Sequence, residues 1–160
     1  MFPTVKNILC ATDLAAESNK ELEWAISEAS RHSAQLHVVY VEQVSRGVGK
    51  MMGNYMGDEE LKKMRHEGFK FLQKNLQAQV DKALENMKQY NVELSAPSIC
   101  SVREGYTPEE ITKYAQEFDV ECLVIGTRTR NHSALGRFFL GSTAQNILQL
   151  STRPVMVIPL

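Results

Sequence analysis

Between Gly126 and Thr143 the chain reads GTRTRNHSALGRFFLGST, where glycines, hydroxyls and cations recur in a pattern suited to holding an anion. Gly126 closes an apolar run, and Gly141 with Ser142 opens a helix-like one. The free amides and positive dipole end of a helix start favour a phosphate there. Glycine lets the main chain approach closely, and the Ser142 hydroxyl adds a further hydrogen-bonding group. Arg128, Arg130, His132, Gly136 and Arg137 share the segment, and an arginine fork can grip a phosphate through two parallel hydrogen bonds. The plainer reading is that Gly126 turns the chain, Ser142 caps the helix and the arginines are solvated. A second polar point, Thr12-Asp13, directly follows an apolar run. An acid there either accepts hydrogen bonds from ribose hydroxyls or caps the next turn.

Other motifs carry less chemistry. GVGKMMG at 47–53 echoes a phosphate loop but satisfies neither G-x-x-x-x-G-K-[ST] nor G-x-G-x-x-G, and no periodic helix starts directly after it. Met51, Met52 and Met56 suit an apolar surface better than a metal. His32, His37, His66 and His132 lack ligand spacing, and there is no G-x-S-x-G elbow. Phosphoryl transfer needs a metal clamp, a charge stabiliser and a positioned nucleophile, and no convincing base or acidic pair is in view. The expectation is therefore a binding protein, with any phosphoryl transfer slow and incidental.

The elements that must position these residues are legible as an alternation. Five short apolar segments, at 5–11, 35–41, 95–102, 121–126 and 153–158, read as strands; four run almost continuously apolar, which suits strands covered on both faces. Between them lie helical patterns. Ser18 with Glu21 forms a capping box ahead of Leu22, Ala25, Ile26 and Ala29. A charged stretch from Asp58 to Tyr90 carries Leu61, Met64, Leu72, Leu76, Val80, Ala83 and Met87 on one stripe, with Gly68 as a weak point. Thr107 as N-cap with Pro108, Glu109 and Glu110 starts a third helix, ahead of Ile111, Ala115 and Phe118. Ser142 with Gln145 caps the last one, which carries Ile147 and Leu148 and stops before Pro154. The order β-α-β-α-β-α-β-α-β predicts an α/β fold with a five-stranded parallel open sheet, helices on both faces, and a ligand crevice at the strands' carboxyl ends. Function is thus sought at Ala11-Thr12-Asp13, at Val41-Glu42, at Arg103-Glu104-Gly105, and from Gly126 onward.

Composition bounds the rest. The 160 residues form one domain, 1–160, large enough to bury about 70% of the unfolded surface. Its 18 basic and 19 acidic residues nearly cancel, so no overall field draws nucleic acid or an anionic membrane. Cys10, Cys100 and Cys122 lack C-x-x-C spacing and read as core thiols in a reducing compartment. No run approaches a membrane span and the N-terminus lacks a signal pattern, so a cytoplasmic protein is expected.

Taken together, ILCATDLA, VVYVEQ, VIGTR, FLGSTAQNIL and RPVMVIP resemble the universal stress protein family across almost the whole chain. The resemblance implies a Rossmann-like, adenine-nucleotide-binding fold and ATP, accompanied by Mg2+. Family members bind ATP through G-x2-G-x9-G-[ST]. This implies Gly126, Gly141, Ser142 and Thr143 at the triphosphate, together with Thr127. It also implies Ala11, Thr12 and Asp13 at the adenosine end, and Val41 at the adenine. The pattern encloses 12 residues between its outer glycines, whereas Gly126 to Gly141 encloses 14 and the middle glycine is absent. Asn131 stands where the pattern's middle glycine would, with nine residues between it and Gly141, and tolerates a left-handed backbone; Arg128 could replace a lost backbone contact. The implied function is a regulatory, stress-response nucleotide sensor whose bound ligand orders the 127–140 loop and changes a surface read by an unknown protein partner. The final strand, placed by the resemblance at a sheet edge, implies a homodimer through 154–160. The alternative is a nucleotide-free dimeric interaction module of the same fold.

Overall fold

The computed structural model describes residues 3–14, 19–43, 54–127 and 141–160. Ser18, most of the glycine-rich 44–57 stretch, and Arg128, Arg130, Asn131, His132, Gly136 and Arg137 lie outside the described residues.

Among the described residues the main elements alternate: β1 (Asn7–Ala11), α1 (Lys20–His32), β2 (Gln35–Glu42), α2 (Asp58–Lys88), β3 (Ile99–Glu104), α3 (Thr107–Glu117), β4 (Cys122–Gly126), α4 (Ser142–Leu150) and β5 (Val155–Ile158). All strand pairs are parallel, in the spatial order β3-β2-β1-β4-β5. The expected five-stranded open sheet with helices on both faces is what forms.

The apolar runs are nearly unbroken because both sheet faces are covered. Ile8, Cys10, Leu36, Val38 and Val124 pack against Leu22, Ala25, Ile26 and Ala29 of α1 and Leu76, Val80, Ala83 and Met87 of α2. Leu9, Val39, Val41, Leu123 and Ile125 pack on the opposite face against Ile111, Tyr114 and Ala115 of α3 and Ala144 and Ile147 of α4. Burial pushes the Cys10 thiol well above its ordinary value, and the Glu21 charge nearby acts the same way. Among the described residues no helix is long and apolar enough to cross a membrane.

Three boundaries differ from expectation. The third strand is Ile99–Glu104 rather than 95–102, because Pro97 brings no N–H and its carbonyl instead accepts from the Gln35 side chain at 2.8 Å. Arg103 and Glu104 therefore belong to the strand itself. The Arg103 guanidinium turns to Glu117, at 2.7 Å, and lies over the Tyr114 ring at 4.6 Å. Second, α2 runs unbroken through Gly68, but only Leu76, Val80, Ala83 and Met87 of its expected stripe are buried. Third, none of the expected N-cap hydroxyls holds its cap: Asn19, one residue after Ser18, is the N-cap of α1. Tyr106 and Gly141 hold the N-cap positions of α3 and α4, and no side-chain cap bond is made at either. The Thr107 hydroxyl accepts from Gln43 Nε2 at 2.9 Å, and Ser142 is exposed as the first residue of its helix.

A buried polar bridge ties β2 to α3, the helix beneath the crevice. Asn7 Oδ1 can only accept, so His37 Nε2 donates to it at 3.2 Å, while Nδ1 accepts from the Tyr114 hydroxyl at 2.8 Å. This arrangement needs a neutral ring, and burial pushes His37 below its ordinary 6.5. Above 6.5 the ring is neutral in folded and unfolded chains alike; as the pH falls below that value the unfolded chain gains the proton first and stability is lost. His37→Gln is expected to show a smaller drop in thermal midpoint than the wild type between about pH 7 and pH 5, over which an ordinary histidine titrates. Parallel curves for the two proteins would refute the assignment.

Candidate functional site

The chain leaves β1 toward β2 and β3, then crosses back to add β4 and β5 on the other side. Beyond the carboxyl ends of β1 and β4 the connections diverge, and a crevice opens where the strand order reverses. It encloses about 610 Å³, within the size range of small-molecule sites.

Its floor is apolar: Val39 and Val41 from β2, Ile125 from β4, Ile111 from α3, and Ala144 and Ile147 from α4 all line it. Its polar lining includes Asp13, Glu21, Glu42, Gln43, Thr107, Ser142 and Thr143. No lysine, arginine or histidine is among the described lining residues. The α4 start differs electrostatically from the other described helices. Acids occupy the first turns of α1, α2 and α3, whereas the first turn of α4 has none, which suits an anion at its positive end.

Main-chain direction adds a second donor group. Along a parallel strand, successive residues point their N–H and C=O to alternate neighbours. Val39 O accepts from Thr12 N at 3.1 Å on the β1 side, and Glu42 O accepts from Gly105 N at 3.0 Å on the β3 side. Val41 therefore aims its N–H and C=O the same way as Val39, beyond the last rung of β1, into the crevice. Thr12 is committed elsewhere: its hydroxyl donates to the buried Glu21 Oε1 at 3.1 Å and accepts from Gln79 Nε2 at 3.3 Å.

Residues 4–159 match the Universal stress protein family. The chain belongs to that family. Universal stress protein YxiE of Bacillus subtilis is 27% identical over 158 residues, covering 94% of this chain and 97% of the relative. Among solved structures, a universal stress protein in complex with cAMP superposes with TM-score 0.64 at 17% identity, covering 98% of both chains. The universal stress protein from Archaeoglobus fulgidus in complex with dAMP gives 0.55 at 20% identity, covering 98% of this chain and 99% of its own. These structural likenesses show the shared fold.

Of the universal stress protein residues expected at the site, the structure gathers Ala11, Thr12, Asp13, Val41, Gly126, Ser142 and Thr143 around one crevice. Gly141 sits next to it as the α4 N-cap. Thr127 does not line it: its N–H donates to Ile158 O at 2.9 Å and its hydroxyl accepts from Leu160 N at 3.1 Å. Gly126 has a close neighbour of its own. A β-carbon there would lie 2.5 Å from Leu160 Cδ1 and 3.7 Å from Glu21 Oε2, so the glycine admits the leucine side chain against the strand end. Arg128 and Asn131 lie outside the described residues.

Several lining residues were not singled out from sequence. Glu21 has the type and spacing of a capping-box acid, yet it is 2% exposed and bonded to Thr12. The signal was its position one residue before Leu22, on the edge of the buried face. Glu42, named with Val41 among the strand-end positions, does line the crevice. Leu160, Ile111, Ala144 and Ile147 enter only through tertiary packing. Among the described residues no group of three or more His, Cys, Asp or Glu side chains is placed to hold a metal ion.

Proposed function

We propose that this universal stress protein binds an adenine nucleotide, ATP accompanied by Mg2+, in the crevice and acts as a regulatory stress-response sensor through a homodimer. The observation that carries the reading is the polarity of the site. Asp13 offers acceptors that suit ribose hydroxyls; the exposed Ser142 and Thr143 hydroxyls at the start of α4, whose first turn carries no acid, suit phosphate; the Val41 main chain offers one donor and one acceptor beside an apolar floor, which suits a purine edge. Relatives solved with cAMP and dAMP support an adenine ligand.

The role we propose is binding rather than turnover, with any hydrolysis slow and incidental. The edge position of β5 supports pairing of two copies through 154–160, and the chain is read as cytoplasmic.

The test is a calorimetric titration of nucleotide-stripped protein with Mg-ATP, followed by amide NMR. Heat is expected, with the Val41 amide shifting more than Tyr40 or Glu42, and light scattering should give twice the 18.1 kDa chain mass. A dimer silent to every adenine nucleotide would instead establish the nucleotide-free interaction module.

A further inference from the structure

Gln79 lies on α2, between the fully buried Leu76 and Val80 that anchor this part of the helix in the core. Its Nε2 reaches three groups of the β1–α1 connection: Asn19 Oδ1 at 2.9 Å, Thr12 Oγ1 at 3.3 Å and Asp13 O at 3.5 Å. All three must accept. Asn19 Oδ1 and the Asp13 carbonyl have no proton, and the Thr12 hydroxyl has already given its own to Glu21. The amide nitrogen has two N–H groups: one is given to Asn19 where the chain enters α1, and the other is shared between the Thr12 hydroxyl and, more weakly, the Asp13 carbonyl where the chain leaves β1.

We infer that Gln79 is a positioning residue for the nucleotide site, a donor clamp that fixes the main chain of Thr12-Asp13 so that the Asp13 carboxylate faces the ribose. This rests on the reading that Asp13 meets the sugar hydroxyls. Gln79 does not line the crevice, so its effect passes through Asp13. The carboxylate sits one side chain away from the carbonyl that Gln79 grips, and a shift of about 1 Å there is enough to spoil a hydrogen bond at ordinary donor–acceptor distances.

The donor-only requirement gives a sharp test. Affinities for AMP and 2′-deoxy-AMP are measured on the intact protein and expressed as a ratio, which cancels any change in charge at position 79. Wild type is expected to favour AMP by about tenfold, the value of one charge-assisted hydrogen bond. Gln79→Leu, which suits the neighbouring apolar cluster, and Gln79→Glu, which brings an acceptor to three acceptors, should both move the ratio toward one. Gln79→Lys, which has donors only, should restore it. Far-UV circular dichroism verifies that each variant is folded. Gln79→Leu keeping the wild-type ratio would overturn the clamp while leaving nucleotide binding intact, and a wild-type ratio near one would overturn it too. If wild type binds no adenine nucleotide at all, the reading of the pocket fails, and hydrogen exchange in the ligand-free protein still decides the clamp. Exchange across 12–14 should be faster in Gln79→Leu, and unchanged exchange would refute it.

Discussion

Leu76→Ala is expected to lower the unfolding free energy by about 2–5 kcal/mol, the usual cost of emptying a leucine site in a packed core. Phe71→Ala, five positions earlier on the same helix, should stay within about 0.5 kcal/mol. Leu76 is fully buried among Leu22, Ile26, Val38 and Val80, whereas Phe71 is 65% exposed. Urea unfolding followed by circular dichroism reads both, with the same denaturant dependence for each variant if the unfolded states are alike. Equal losses at the two positions would mean that the amino-terminal half of α2 is packed in solution.

That contrast shows what hydrophobic period reveals and what it does not. The stripe from Leu61 to Met87 identifies one face of a continuous helix, and the helix forms over Asp58–Lys88. The period says nothing about how far the partner surface extends. Strands of 4 to 8 residues cover roughly 13–27 Å at 3.3 Å per residue, while a 31-residue helix runs about 46 Å, so its first turns project beyond the sheet. The strands themselves were legible because β1, β2 and β4 are covered on both faces and so read as unbroken apolar runs. β3 slipped by several residues because apolar Ala96 and Pro97 extend its pattern without being able to extend its ladder.

At the site, residues that act through the ends of strands were readable, because a parallel open sheet puts its crevice there whatever the ligand. Asp13, Val41 and Gly126 belong to that set. Residues that act through helix packing were not. Glu21 and Gln79 meet Thr12 from two different helices, 9 and 67 positions away along the chain, and each has an ordinary local role available. Glutamate in the first turn of a helix satisfies a capping box as well as a buried contact. Glutamine on a charged helix has nothing local to distinguish it. The hydroxyls of Thr107 and Ser142 show the converse: their types signalled the helix starts to within one residue, but neither is used as a cap.

Asp13→Ala is expected to weaken adenosine, AMP and ATP by a similar factor, about ten to a hundredfold, because all three share the ribose and one or two hydrogen bonds to a charged acceptor are lost. Ser142→Ala with Thr143→Val should act differently, weakening ATP several-fold while leaving adenosine unchanged, because those hydroxyls lie at the helix start where only phosphate would reach. The comparison separates two physical roles for the aspartate. A carboxylate that accepts from the sugar lowers every affinity when it is removed. A carboxylate that merely repels the phosphates would, on removal, raise ATP affinity and leave adenosine where it was, since like charges at close range cost energy in proportion to the ligand's charge. Calorimetry with the three ligands at one ionic strength distinguishes these outcomes. A gain for ATP in Asp13→Ala would place the sugar elsewhere in the crevice and make Glu42, the other carboxylate at the end of a strand, the next residue to test.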